Sequence, residues 1–150
     1  MERISKYISY EEGTFSQTAK DNGIDNTPDE SQLACMKLVA ITCFDKIREW
    51  YGKPLRVNCF FRGKKVNDII PGASKTSDHP LGKAIDFTAE SPEENKNIYE
   101  WAKANLKYDQ LIWEFGGKWI HISFRKEGNR NECLMALKDT NGKIYYTHYK

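Results

Sequence analysis

The feature that most restricts the fold is Gly116-Gly117, set between two runs rich in β-forming residues, Gln110–Phe115 and Trp119–Phe124. Paired glycines take up the positive φ of a tight hairpin turn at little cost, so the two runs are expected to be antiparallel neighbours. A two-residue turn pairs Phe115 with Lys118, Glu114 with Trp119, and Ile112 with His121. Directly paired residues face the same way, and side chains alternate along each strand. Glu114, Trp119 and His121 therefore share a face, with Glu114 diagonal to His121 at roughly 7 Å between backbones. That separation suits a proton acceptor beside a metal site rather than a metal ligand. A slip of one residue would place the side chains on opposite faces.

A second stretch supplies matching chemistry: Ser77-Asp78-His79-Pro80-Leu81-Gly82-Lys83-Ala84-Ile85-Asp86. Ala84–Ala89 reads as a short strand with Ile85 and Phe87 toward the core and Asp86 on the opposite side. Gly82 allows the backbone to turn between His79 and Asp86. The two stretches together offer two imidazoles and two carboxylates. A hydrolytic zinc site needs three nitrogen or oxygen ligands and an open position, plus a carboxylate able to take a proton from water. The assignment is His79, Asp86 and His121 as Zn2+ ligands and Glu114 as base. The bland alternatives are unrelated histidines, a Glu114–Lys118 pair across the hairpin, and an Asp86 that caps a turn.

The 150 residues read as one domain, 1–150, opening with a polar, turn-rich, irregular arm over 1–26. A long helix is expected to start at a capping box with Thr27 as N-cap, Pro28 in the first helical position and Glu30 reaching back. Its apolar stripe is Leu33, Met36, Ala40, Cys43, Phe44, Ile47 and Trp50, and Gly52 with Pro54 ends it. Leu55–Phe61 reads as a strand, Lys64–Ile70 as a short helix or loop, and Pro71-Gly72 as a turn. Ser91-Pro92-Glu93-Glu94 opens a second helix to about Leu106, buried through Ile98, Trp101, Ala102 and Leu106. A last hairpin, Cys133–Lys138 with Lys143–Tyr149, turns at Asn141-Gly142. The class is α+β, two main helices packed on a mostly antiparallel sheet.

The formal net charge of +2 carries no strong pull toward nucleic acid, and the basic runs read as solvated faces. No apolar run reaches the roughly 18–20 residues of a membrane span. Met1–Phe15 lacks the apolar core of a signal peptide, so synthesis in the cytoplasm and another route outward are expected. The four cysteines show no C-x-x-C spacing. Cys35 and Cys43 on one helix lie roughly 12 Å apart, too far for a disulfide; all four are expected as thiols, while the sequence leaves pairings of Cys59 or Cys133 open.

These motifs resemble the zinc D-alanyl-D-alanine carboxypeptidase family, which includes phage endolysins and shares its fold with hedgehog signalling domains. Ser77, His79, Gly82, Ala84 and Asp86 match its signature S-x-H-x-x-G-x-A-x-D, and Glu114, Trp119 and His121 its second motif, E-x-x-x-x-W-x-H. Ser16-x-Thr18-Ala19, Gly23-Ile24-Asp25-Asn26-Thr27-Pro28 and Tyr108-Asp109-Gln110-Leu111-Ile112 resemble the phage and bacterial branch, so the likeness runs from about Tyr7 to Arg130. It implies a hedgehog/DD-peptidase-like fold, zinc on His79, Asp86 and His121, and Glu114 as base. It also implies a substrate-binding arginine, which falls on Arg62. There the chain departs from the family: Cys59-Phe60-Phe61-Arg62 stands for S-G-Y-R, and Pro71-Gly72 for a glycine pair. Ser77 or Asp78 is expected to orient a ligand imidazole. The implied substrate is a peptidoglycan stem peptide, cut by a carboxypeptidase or an endopeptidase, and the protein is expected to be a monomer acting on the cell wall. A non-catalytic zinc module and a structural phage component are the rival readings.

Overall fold

The computed structural model describes residues 3–149; Met1, Glu2 and Lys150, at the ends of the expected domain, lie outside the described residues. Its strands are β1 (Arg56–Cys59), β2 (Ala84–Thr88), β3 (Gln110–Glu114), β4 (Trp119–Ser123), β5 (Glu132–Lys138) and β6 (Ile144–His148). They form one six-stranded sheet in the order β1-β2-β4-β3-β5-β6. Every pairing is antiparallel except β3 with β5, which is parallel. The helices are α1 (Tyr10–Thr14), α2 (Gln17–Asp21), α3 (Glu30–Val39), α4 (Asp45–Tyr51), α5 (Lys64–Ile69) and α6 (Pro92–Asn105).

Parity along the strands divides the sheet into two faces. Ile85, Phe87, Leu111, Ile120 and Ile122 are fully buried against α3, α4 and α6. Phe44 meets Phe87 edge-on at 5.5 Å between ring centres. Burying each such side chain is worth about 1.5–3 kcal/mol, so this layer carries the fold. Asp86, Ile112, Glu114, Trp119 and His121 alternate with those residues and occupy the other face.

The β3–β4 register is the expected one: Glu114 opposite Trp119, and Ile112 opposite His121. The turn is longer than two residues, running Phe115–Lys118. Gly117 N–H and Lys118 N–H both donate to the Glu114 carbonyl at 3.0 Å. Phe115, Gly116 and Gly117 all have positive φ. A Cβ on Gly117 would fall 2.3 Å from Trp113 Cζ2, so the position admits no side chain.

The N-terminal arm is more regular than expected. Ser9 and Ser16 accept from the amides of Glu12 and Ala19, which starts two short helices. Ile4 and Ile8 anchor the arm in the core.

The long helix begins two residues later than its expected cap. Asp29 and Gln32 form the capping box, while Thr27 donates its N–H and O–H to Asp25 Oδ1 and stays in the preceding turn. Between α3 and α4 the helix widens into a π-helical stretch, Ala40–Phe44. The extra residue in that turn rotates the stripe, so Ile47 stays buried whereas Trp50 emerges and stacks on Trp101 at 4.9 Å. Strand β1 is shorter than the expected Leu55–Phe61, because its pairing with β2 is irregular between Val57 and Cys59. The four cysteines are free thiols, and among the described residues no helix is long and apolar enough to cross a membrane.

Candidate active site

His79 lies on a 3-10 turn, His79–Leu81, that hangs between the sheet and the start of α3. Asp78 carbonyl accepts from Leu81 and Lys83, and Gly82, at φ 74, closes the turn with an N–H bond to His79 carbonyl. Gln32 Nε2 donates to Pro80 carbonyl at 3.1 Å, pinning the turn to the helix. A Cβ on Gly82 would lie 2.5 Å from the Gln32 carbonyl oxygen, so only glycine lets the turn approach this closely. Asp86 and His121 are direct cross-strand partners on β2 and β4.

These elements bring three of the expected residues to one point. His79, Asp86 and His121 can each present one ligand atom, all within 4.8 Å of one another. His121 Nδ1 lies 2.8 Å from Asp86 Oδ1, and His79 Nε2 lies 3.2 Å from Asp86 Oδ2. The imidazole rings meet edge-on at 5.3 Å. His79 Nδ1 lies 2.8 Å from the Phe60 carbonyl. A carbonyl can only accept, so Nδ1 carries a proton; in the protonated ring Nε2–H donates to Asp86, and once that proton leaves, the Nε2 lone pair faces Asp86 and His121.

Burial by itself would drive the His79 pKa down. The Asp86 carboxylate, with help from the Cys59 sulfur 3.7 Å away, outweighs it and holds the imidazole well above its ordinary value. Burial likewise pushes Asp86 up, and the two histidines overcome it, leaving the carboxylate far below the usual range. Two imidazoles and a carboxylate, clustered and anchored from behind, are a donor set that suits a divalent zinc ion.

Glu114 stands on the same sheet face, diagonal to His121 across β3 and β4. Burial raises its pKa first and the Asp86 charge adds to it, giving about 8, with His79 pulling the other way. Among the described residues none hydrogen-bonds its carboxylate, and Lys118 does not pair with it. The carboxylate is thus positioned beside the His–Asp–His cluster with no hydrogen bond from any described residue.

A cavity of about 460 Å³ opens over this face, and Glu114, Trp119, Arg62 and the three clustered residues all line it. Arg62 follows β1, and its backbone N–H donates to the His79 carbonyl at 3.4 Å. Its Nε donates to Asn67 Oδ1 at 2.9 Å, and Asn67 Nδ2 donates to Ser74 carbonyl at 2.9 Å, which holds the arginine against the loop before Ser77.

Ser77 and Asp78 line the same cavity but make other contacts. Ser77 Oγ accepts from His79 N–H at 3.2 Å, and Asp78 Oδ1 accepts from Arg125 Nη2 at 2.8 Å. The ring of His79 is held by the Phe60 carbonyl instead, a backbone partner that no side-chain motif reveals. Sequence reasoning also passed over Leu134, Ile144 and Tyr146, which line the cavity from β5 and β6. The available signal was parity, since Leu134, Ala136, Ile144 and Tyr146 alternate along the last hairpin.

The family model described as Peptidase M15 matches residues 6–123, more than half of the chain. No curated protein matches it.

Proposed function

The chain belongs to peptidase family M15, and from that premise we propose that it is a zinc-dependent peptidase hydrolysing amide bonds of peptidoglycan stem peptides. The observation that carries the reading is Glu114, a carboxylate engaged by no described residue, beside a compact His79–Asp86–His121 cluster on one sheet face. Those three residues would hold the metal. When bound there, zinc supplies Lewis-acid activation of water and of the scissile carbonyl.

The chain's own groups do the rest. Glu114 takes a proton from the attacking water and delivers it to the leaving nitrogen. It must be ionised to do so. Burial and then the Asp86 charge raise its pKa, so neutralising Asp86, as a divalent ion held by His79, Asp86 and His121 would, favours the carboxylate. Arg62, tethered through Asn67, receives a substrate carboxylate or the charge developing on the carbonyl oxygen. The Phe60 carbonyl keeps Nε2 of His79 aimed inward. In this reading the protein acts as a monomer on the cell wall, which it reaches after release or by export through another route.

Glu114→Gln tests the assignment, because it keeps size and removes the basic carboxylate. Zinc content by elemental analysis should match the parent, and stem-peptide hydrolysis should fall by the roughly 10²–10⁴ that general acid–base catalysis contributes. Loss of zinc in the variant would make Glu114 a ligand. Zinc retained with full activity would assign the base to another group.

A further inference from the structure

The cavity has a wall that lies outside the matched family span. The match ends at residue 123, whereas β5 and β6 follow it and contribute Leu134, Ile144 and Tyr146 to the same cavity as the His–Asp–His cluster. Cross-strand register shows how they reach it. Glu114 pairs with Ala136, and Ala136 pairs with Tyr146, so the three form one row across β3, β5 and β6 on the site face. Ala136 is fully buried in that row, so the cavity wall on this side is made by Leu134, Ile144 and Tyr146. Ile112 pairs with Leu134 in the next row, and Ile144 lies two residues from Tyr146 on the same face of β6. Tyr146 is 53% exposed, so its ring stands where the cavity meets solvent. Burial, and then the charges of Glu114 and Asp86, hold the Tyr146 phenol above its ordinary pKa.

Arg62 marks the opposite end of the cavity, beyond β1 at the other edge of the sheet. A substrate bound at Arg62 and cut beside Glu114 therefore has chain to place over β5 and β6. Strands are spaced about 4.8 Å apart, so β6 lies roughly 10 Å from β3. An extended peptide covers that distance in about three residues.

We propose that Leu134, Ile144 and Tyr146 form a specificity subsite for an aliphatic side chain of the peptide, two to three residues from the scissile amide on the side away from Arg62. The proposal rests on the peptidase reading above. Two aliphatic side chains and the face of an aromatic ring bury a methyl or larger alkyl group, and they make no hydrogen bond that would require a charged one. Because this contact is remote from the reacting atoms, it selects among peptides without taking part in the bond change.

The test compares stem-type peptides carrying alanine or leucine at each position within three residues of the cut with peptides carrying glycine there. Tyr146→Ala and Tyr146→Phe are assayed beside the parent, all zinc-loaded and checked for fold by circular dichroism. At one position on the side away from Arg62, Tyr146→Ala should lower kcat/KM for the aliphatic peptide by at least about tenfold and leave the glycine peptide within about twofold. Tyr146→Phe, which keeps the ring, should behave as the parent. Equal losses on both peptides, or the same loss in Tyr146→Phe, would overturn the subsite. If the parent cleaves none of the peptides, the peptidase reading fails separately, and calorimetric binding of the same pairs decides the subsite. A preference for the aliphatic peptide that Tyr146→Ala abolishes supports it, and equal or no binding rejects it.

Discussion

Arg125 donates from Nη2 to Asp78 Oδ1 at 2.8 Å, tying the residue that precedes His79 to the segment after β4. The same guanidinium donates from Nε to Asp109 Oδ2 at 3.1 Å. Asp109 is fully buried and also accepts from Arg130, through its backbone N–H, Nε and Nη2. Those Arg130 bonds, more than those from Arg125, hold its pKa down to about 2. The turn that carries His79 is thus fastened both to a charged cluster at the start of β3 and, through Gln32, to α3.

Arg125→Ala is expected to loosen that turn while Arg130 keeps Asp109 paired. Partners that orient metal ligands from behind typically cost 10–100-fold in affinity when removed. Arg125 acts one residue further back, so about tenfold weaker zinc binding is expected, read by chelator competition. Arg125→Lys, which cannot span both carboxylates with a rigid fork, should fall on the same side of the parent. Zinc affinity unchanged in both variants would leave the arginine with a purely structural role.

Gly82→Ala is expected to be costly for a different reason. A left-handed backbone costs an L-residue about 1–2 kcal/mol, and forcing a methyl into a packed contact adds about 1–3 kcal/mol. The contact is rigid, since the obstructing atoms are the Gln32 carbonyl oxygen at 2.5 Å and Met36 Cγ at 2.9 Å. Denaturant unfolding of the zinc-free protein should show a loss of roughly 2–5 kcal/mol. Gly142→Ala, also at positive φ but with no atom within 4 Å, should lose only the backbone part. Equal losses at the two positions would show that the close approach to α3 contributes nothing.

Zinc binding should depend on pH through His79. The metal takes the neutral imidazole, and in the zinc-free protein the Asp86 charge, working against burial, keeps the proton on His79 above its ordinary value. Below that raised pKa each zinc must displace a proton. Apparent affinity should therefore climb about tenfold per pH unit while one proton must leave His79, and level off once His79 is neutral. Competition titrations at several pH values check this, and a flat profile would contradict it. Stability of the zinc-free protein should follow the opposite logic. The raised His79 pKa stabilises the fold below the unfolded value near 6.5, and that gain disappears as pH rises through the folded value. The depressed Asp86 pKa stabilises above about 3.9, and that gain disappears as pH falls. Their pairing therefore supports the zinc-free fold between those limits.

Much of the site's layout follows from local rules. Strand alternation and the glycines at 116 and 117 determine that Glu114, Trp119 and His121 share a face, even though the turn itself runs Phe115–Lys118. The same alternation separates Asp86 from Ile85 and Phe87, and helix periodicity picks out Met36, Cys43, Phe44 and Ile47 as core. The Trp50 expectation failed because one widened turn at Ala40–Phe44 shifts the phase of everything after it, and no residue type marks such a turn reliably.

What the sequence by itself determined was therefore the parity of each strand, the amphipathic faces of the helices and the chemistry available on each. Only the tertiary structure decided which strands meet. Pairing β2 with β4 sets Asp86 opposite His121, and the parallel pairing of β5 on β3 carries Tyr146 over to the site. The Phe60 carbonyl reaches His79, and Arg125 reaches Asp78, across chain separations of 19 and 47 residues. Alternation and helical period repeat within a few residues and are written locally. A contact between distant segments depends on how the whole buried layer packs, and no short stretch of chain encodes that choice.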